Sequence, residues 1–150
     1  MKLYTSYYGN LKNIPPDYFI VSASGGLTEE LKVAVDSWDT DLAPTKDIFF
    51  DYKQNGDWSK YVLKFKADVL PKIDWLEKLE QWEEKANKIN KQIENIVLLC
   101  YEKPGDHCHR HILSEHFENE FKCNVKEFGH ENMIRDGYKL IIENNMDILF

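Results

Sequence analysis

Continuous apolar runs alternate with helical periodicity along this chain, which is the pattern of strands separated by helices. Leu3 to Tyr8 is short, aromatic and ends at Gly9-Asn10, so it predicts a first strand. Pro15-Pro16 breaks the chain. Tyr18-Phe-Ile-Val-Ser-Ala23 predicts a second strand, whose unbroken apolarity is that of a strand covered on both faces. Leu31, Val35 and Trp38 suggest a short helix that Thr40-Asp41 ends. Pro44 suits the first turn of a helix, where its missing N–H is no loss. Ile48, Phe49 and Tyr52 give that helix an apolar face as far as Asn55-Gly56. Ser59 to Leu70 is a further helix with Val62, Phe65 and Val69 on one side, interrupted by Pro71.

Asp74 to Asn90 carries the clearest periodicity. Trp75, Leu79, Trp82, Ala86, Ile89 and Ile93 recur at spacings of three and four, one stripe of a helix. Glu77, Lys78, Glu84, Lys85 and Lys88 fall outside that stripe and read as a solvated surface. Asn95 to Glu102 is β-branched and aliphatic, the signature of a central strand. A helix capped at Asp106 or a neighbour runs to about Phe121, and Val125-Lys-Glu-Phe128 predicts an edge strand ending at Gly129. Ile134, Tyr138, Ile141, Ile142 and Leu149 have roughly helical spacing, so residues 129–150 are expected to dock as a helix. The fold class that follows is α/β. It is a small, mainly parallel sheet of about four strands with helices on both faces, a Rossmann-like three-layer arrangement in a single domain over 1–150.

Composition agrees with a self-sufficient core. The 150 residues are 43% hydrophobic and 13% aromatic, enough to fold without disulfides or metal. A formal charge of −7 disfavours duplex nucleic acid and anionic lipid as partners, while leaving room for a local basic cleft. Met1-Lys-Leu-Tyr-Thr-Ser has no apolar leader core, and no run approaches a membrane span. With three cysteines, an odd number, the expectation is a cytoplasmic protein with reduced thiols.

Chemistry concentrates in Cys100-Tyr-Glu-Lys-Pro-Gly-Asp-His-Cys-His-Arg-His111, between a predicted strand and a predicted helix. That junction is where α/β folds collect ligands. Cys108 in the first helical turn meets the positive helix end, which acidifies a thiol. His107, His109 and Arg110 push the same way. Cys108 is thus either a nucleophile or redox thiol, or a small residue filling the helix start. Arg110 shares a stripe with Phe117 and Phe121, so it either contacts an anionic ligand or pairs with a carboxylate, for which Glu102 is the candidate. Seven residues separate Cys100 from Cys108, unlike paired zinc ligands, and no Glu completes a zinc-protease pattern around His107 and His111. No metal site and no cofactor are therefore assigned. A phosphatase loop is excluded because nine residues lie between Cys100 and Arg110, and only one between Cys108 and Arg110. Ser22-Ala-Ser-Gly-Gly26 follows the second strand as either an anion-binding nest or a plain turn. In a parallel sheet it opens on the same edge as the Glu102 loop. Tyr7, Tyr8 and Gly9 then join that edge, with the aromatic rings positioned to stack on a base or sugar.

Leu98-Leu-Cys-Tyr-Glu-Lys-Pro-Gly-Asp-His-Cys-His-Arg-His111 closely resembles the signature of the domain-of-unknown-function 488 (DUF488) family, which joins a Cys-x-Glu strand end to a Cys-His-Arg helix start. Tyr4-Thr-Ser-Tyr-Tyr-Gly9, Leu42-Ala-Pro44 and the Tyr61-to-Leu70 helix are similar to other parts of the family, so the resemblance spans roughly residues 1–128. It implies a shared site of Cys100, Glu102, Cys108, His109 and Arg110, in a family whose name records no established activity. Many relatives carry an Arg and a Pro after the second strand where this chain has Ser22-Ala-Ser-Gly-Gly26, so any anion contact made by that arginine is missing or replaced by backbone N–H groups.

Two functions use the same pocket. In one, Arg110, Cys100, Ser24, Gly25 and the tyrosines bind a small anion such as a nucleotide or sugar phosphate. In the other, Cys108, His109 and Glu102 act as nucleophile and general acid or base in hydrolysis or transfer. A protein-interaction module with a purely structural cluster is the third reading. Oligomeric state is not legible.

Overall fold

Parallel pairing organises the molecule. The computed structural model describes residues 1–142. Five strands, β1 (Lys2–Tyr7), β2 (Phe19–Ser22), β3 (Ser37–Trp38), β4 (Asn95–Cys100) and β5 (Lys126–Glu127), form one sheet in the order β3-β2-β4-β1-β5. Every pair in it is parallel. β4 is central, as its unbroken aliphatic run predicts, and Ile96, Val97, Leu98 and Leu99 are all fully buried. Strand alternation sends Phe19, Val21, Ile96 and Leu98 to one face and Ile20, Val97 and Leu99 to the other.

The two faces are covered unequally. The first carries α2 (Lys46–Asn55), α3 (Trp58–Asp68), α4 (Trp75–Lys88) and α5 (His109–Phe121), which bring Ile48, Phe65, Trp75, Trp82, Ile112 and Phe117 into one core. The second is closed by Tyr8 and Leu11 of a 3-10 turn, Tyr8–Asn13, together with Ile14, Tyr18, Val35 and Phe128. The arrangement is α/β and three-layered, with a thin second layer. Connections leading toward β3 run on the thin face and those leading toward β5 on the thick one, as a single crossover hand demands. The neighbours β2 and β4 therefore send their following loops in opposite directions. A crevice opens between their carboxyl ends, at the topological switch point.

Three expectations are corrected. The segment around Leu31 forms a one-turn-plus helix, α1 (Glu29–Ala34), with no buried residue, and Trp38 belongs instead to β3. A strand of two residues is too short to leave a periodicity. Pro44 precedes the N-cap Thr45 and stays outside α2. The tail, over its described part, is a hairpin of β6 (Met133–Asp136) and β7 (Lys139–Ile142) rather than a helix. Its turn places Gly137 at φ 60° and Tyr138 at φ 66°, two successive left-handed residues that a right-handed helix cannot contain. Leu149 lies outside the described residues. The hairpin docks on the switch-point loop. Cys108 N donates to Tyr138 O at 3.2 Å, Leu140 N to Pro104 O at 2.8 Å, and Trp58 Nε1 to Gly137 O at 2.9 Å.

Lys78 also departs from its expected solvated surface. It is buried, and its ammonium donates to Asp39 at 2.9 Å and Asp41 at 2.6 Å, while Trp82 Nε1 donates to the same Asp39 at 2.8 Å. Burial alone would lower the Lys78 ammonium, but the two aspartates outweigh it and raise it. This network ties α4 to the turn after β3. A second buried pair ties α5 to β5. The Arg110 guanidinium donates through Nε and Nη2 to Glu127 at 3.0 and 2.7 Å, and Thr5 Oγ1 donates to the same carboxylate at 2.6 Å. Among the described residues no helix is long and apolar enough to cross a membrane.

Removing one partner of a buried pair strands the other. Glu127→Ala is expected to lower the unfolding free energy by about 3–5 kcal/mol. Lys78→Ala is expected to cost about 3 kcal/mol, whereas exposed Lys88→Ala should stay within about 0.5 kcal/mol of the parent. Urea titrations followed by tryptophan fluorescence measure all three. Coincident curves for the two lysine variants would contradict the buried Asp39–Lys78 network.

Candidate functional site

The aliphatic run of β4 stops at Cys100, and Lys103-Pro104-Gly105 turns the chain, with Asp106 N donating to Lys103 O at 3.0 Å. The cap of α5 is Cys108, in extended conformation at φ −151°, and not Asp106. The Cys108 side chain makes no capping hydrogen bond. Its sulfur is instead near Cys100 and His109, and Cys108 N is held by the hairpin. One ligand atom from each of Cys100, Cys108 and His109 lies within 4.8 Å of the other two. His109 Nε2 lies 2.7 Å from the carbonyl of Ala23, which can only accept, so Nε2 carries a proton. Cys100 Sγ is 3.4 Å from the same nitrogen, and the other ring nitrogen, Nδ1, faces Cys108 Sγ at 4.0 Å. The His109 ring is thus oriented by the end of β2 and placed by the start of α5, across the switch point.

The charges in this cluster depend on one another. Burial alone would push the Cys108 thiol up. The hydrogen bond from Cys100 and the positive charges of Arg110 and His109 outweigh it and hold Cys108 well below the usual thiol range. Burial and the Cys108 sulfur push the Cys100 thiol well above that range. His109 would be lowered by burial, but the negative Cys108 raises it. Glu102 is pushed up to about 7 by partial burial and by the Cys108 charge, against the pull of His109. Relative to their ordinary values, Cys108 is shifted toward its thiolate and His109 toward its charged ring, beside a Glu102 carboxyl raised to about 7.

Cys108, His109 and Glu102 line a cleft of about 470 Å³ together with Ser24, Gly25 and Gly26. Its other walls are Phe49, Phe50 and Tyr52 of α2, Trp58 and Tyr61 of α3, and Tyr101 and His107. Trp58 stacks on Tyr61 at 4.6 Å between ring centroids and on His107 at 4.7 Å, so a column of flat rings forms one side. Lys46 and Lys53 stand at the α2 wall. Tyr101 Oη donates to Gly26 O at 3.0 Å and bridges the two loops that frame the opening.

Several sequence expectations fall elsewhere. Arg110 does not line the cleft; its side chain is fully buried, and its carboxylate partner is Glu127 rather than Glu102. Glu102 contributes only its backbone carbonyl, which accepts from Nη1 at 2.8 Å. Glu127 lies in the predicted edge strand Val125-Lys-Glu-Phe128, but nothing local shows that its side chain turns inward to Arg110. Tyr7, Tyr8 and Gly9 also stay out of the cleft. Tyr8 crosses to the thin face, where its hydroxyl bonds Ser22 and Ser24. The Tyr7 ring lies against Gly9, where a Cβ would meet it at 2.8 Å. Cys100 sits behind Cys108 and His109 without lining the cleft. His107 precedes α5, so it forms no helical pair with His111, whose ring is fully buried. On the other side of α5, His116 Nδ1 accepts from Trp75 Nε1 at 2.8 Å.

The lining residues missed by the sequence reading include Lys46, Phe49, Phe50, Tyr52, Lys53, Trp58, Tyr61 and Tyr101. A signal existed. Phe49, Phe50 and Tyr52 are too close in sequence to share one helix face, so at least one had to point away from the core. Cys100, Cys108 and His109 are brought together across the junction of β4 and α5, as their shared segment suggested.

No curated protein and no solved structure matches the chain. A family model does: residues 20–121 fit the model described as "Active DUF488-N3 subclade". The matched span runs from β2 through α5 and contains the whole Cys100-to-Arg110 segment, and on that basis the chain belongs to the DUF488-N3a family.

Proposed function

We propose that this chain is an enzyme that performs hydrolysis or group transfer on a small, flat, anionic substrate of nucleotide type. The observation that carries the reading is the convergence of Cys108, His109 and Glu102 on one aromatic cleft at the switch point. A base or similar ring fits against the Trp58 column and Phe49. The anionic group lies toward Lys46 and Lys53, which give a locally positive mouth to a chain of net charge −7. With Arg110 internal, these lysines and the backbone of Ser24-Gly25-Gly26 take the anion-binding role.

The chemistry follows from the charges. The Cys108 thiolate attacks the electrophilic carbon or phosphorus of the substrate and forms a bond through sulfur. The leaving group departs with its bonding pair and takes a proton from the Glu102 carboxyl. Water, or an acceptor hydroxyl, then attacks the covalent intermediate, gives its proton to the Glu102 carboxylate and releases the thiolate. His109 keeps the sulfur ionised and is itself oriented by the Ala23 carbonyl. A carboxyl with a pKa of about 7 serves both halves of such a cycle.

A binding-only reading uses the same cleft and is favoured by one observation: Cys108 is only 2% exposed. Two measurements separate the readings. A panel of nucleoside monophosphates and sugar phosphates is screened by thermal shift, and each mixture is then analysed by mass spectrometry for products. An enzyme gives turnover that Cys108→Ala abolishes while the thermal shift persists; a binder gives the shift with no product in either protein. The proposed substrate class is wrong if no member of the panel raises the melting temperature.

The lowered Cys108 thiol has a directional pH consequence. Its thiolate exists below the usual thiol range, whereas Cys123 is held above that range by burial and by Glu118. In chelator-treated protein, iodoacetamide at pH 6.5 should therefore label Cys108 before the more exposed Cys123, as read by peptide mass spectrometry. Preferential labelling of Cys123 would remove the nucleophile from the proposal.

A further inference from the structure

We infer that Cys100, Cys108 and His109 form a binding site for a soft divalent cation of the zinc class, and that the bound ion silences the cleft by taking the Cys108 sulfur as a ligand. The silencing half of this inference rests on the nucleophilic role proposed for Cys108; the site itself does not.

Geometry carries the site. Two sulfurs and one imidazole are the donor set that zinc prefers over hard cations such as magnesium or calcium. In a tetrahedral ion with ordinary zinc bond lengths these donors stand on the order of 3.5–3.8 Å apart. Here one ligand atom of each residue lies within 4.8 Å of the others. Cys108 Sγ faces His109 Nδ1 at 4.0 Å, while Cys100 Sγ lies 3.4 Å from Nε2 on the same ring, so its side chain has to turn toward Nδ1 to complete the set. The His109 ring is prepared for the task. Its Nε2–H is bonded to the Ala23 carbonyl at 2.7 Å, which leaves Nδ1 to offer a lone pair in the neutral ring, and Nδ1 faces Cys108 Sγ at 4.0 Å. A backbone carbonyl that pins the far ring nitrogen is the usual outer support of a histidine ligand.

Charge balance favours the same occupant. A divalent ion with two thiolates and a neutral imidazole is uncharged overall, which suits a cluster whose three residues are all buried. Coordination requires both sulfurs as thiolates and a neutral imidazole, so binding releases to solvent whatever protons these groups carry. Cys108 and His109 line the cleft while Cys100 lies behind them, so an ion held by these three would have its fourth tetrahedral position free on the side of the cleft. Water or a substrate atom fills it. A sulfur lone pair committed to the ion no longer attacks a substrate, so the metal and the covalent reaction exclude one another.

The test uses reduced, chelator-treated full-length protein titrated with cobalt(II) and then zinc(II). Expected is one equivalent of tetrahedral cobalt, with intense visible bands and a thiolate-to-metal charge-transfer band. Zinc should displace it. Cys100→Ser and Cys108→Ser should each lose the spectrum, and Cys123→Ser should keep it. Zinc should also slow iodoacetamide labelling of Cys108 by about tenfold or more without protecting Cys123. A weak octahedral spectrum, or a tetrahedral one that survives Cys108→Ser, overturns the site. If circular dichroism shows that the serine variants do not fold, labelling of the wild-type protein decides: Cys108 reacting equally fast with and without zinc overturns the inference. Protein isolated with one zinc whose removal abolishes turnover would uphold the site and overturn its silencing role. Absence of metal binding with fast Cys108 labelling refutes this inference alone, whereas a slow Cys108 in zinc-free protein refutes the nucleophile alone.

Discussion

The buried pair between Arg110 and Glu127 is the interaction on which the rest of the site depends. Arg110 is the second residue of α5 and Glu127 ends β5, so the pair joins the helix start to the sheet edge. The same guanidinium also donates to the Glu102 carbonyl, at the start of the loop that leaves β4. One side chain thus sets three elements against one another, and Cys108 and His109 directly precede it in the chain. Thr5 of β1 adds a hydroxyl to the Glu127 carboxylate, which leaves neither charge without partners in the core. Fully buried and fully bonded, the pair is costly to break and easy to place, which is the property a reactive loop needs in its support.

The positive charge of Arg110 has an electrostatic consequence although the guanidinium never reaches the cleft. Glu127 neutralises it locally, yet it remains among the causes that lower the Cys108 thiol. Burial raises Cys100 in the same cluster, so one sulfur keeps its proton and gives its partner a hydrogen bond. Two adjacent sulfurs in one pocket cannot both ionise readily; the environment decides which one does. Here the sulfur that ionises is the one lining the cleft.

The sheet was legible in the sequence wherever burial is two-sided. β4 announces itself as Ile96-Val97-Leu98-Leu99, and β2 as Tyr18 to Ala23, because an interior parallel strand has no polar face to show. α4 was legible for the complementary reason, a single apolar stripe anchored by Trp75 and Trp82. The two-residue strand β3 was hidden, since its identity comes from a partner distant in sequence, Val21, whereas β5 falls within the predicted edge strand Val125-Lys-Glu-Phe128. Lys78 and Arg110 mark the same boundary on the polar side. Nothing local distinguishes a lysine that meets Asp39 from one that meets water, and nothing near Arg110 names Glu127. The hairpin shows where periodicity misleads: Ile134, Tyr138 and Ile141 satisfy a helical spacing, but Gly137 and Tyr138 turn left-handed and the apolar residues serve two strands instead.

The chemical segment was legible as a segment but not as a geometry. Cys100, Glu102, Cys108 and His109 were found together because they are close in sequence, yet the residues that give the cleft its substrate character come from α2 and α3, some fifty residues away. Their exposure makes physical sense at this place. Phe49 and Phe50 are 42% and 59% exposed, and exposed rings are tolerated on a monomer mainly where something is meant to cover them. A flat ligand inserted beside Trp58 would cover one side of that aromatic wall and, by excluding water, strengthen every charge interaction at Cys108 and Glu102. Binding and reactivity would thereby be coupled in the proposed function: a ligand that buries the rings would also dry the thiolate that it faces. A soft cation reaching the same sulfur needs no such insertion, only the lone pair and the imidazole. On these proposals, whichever reaches Cys108 first, an electrophilic centre or a metal ion, would exclude the other.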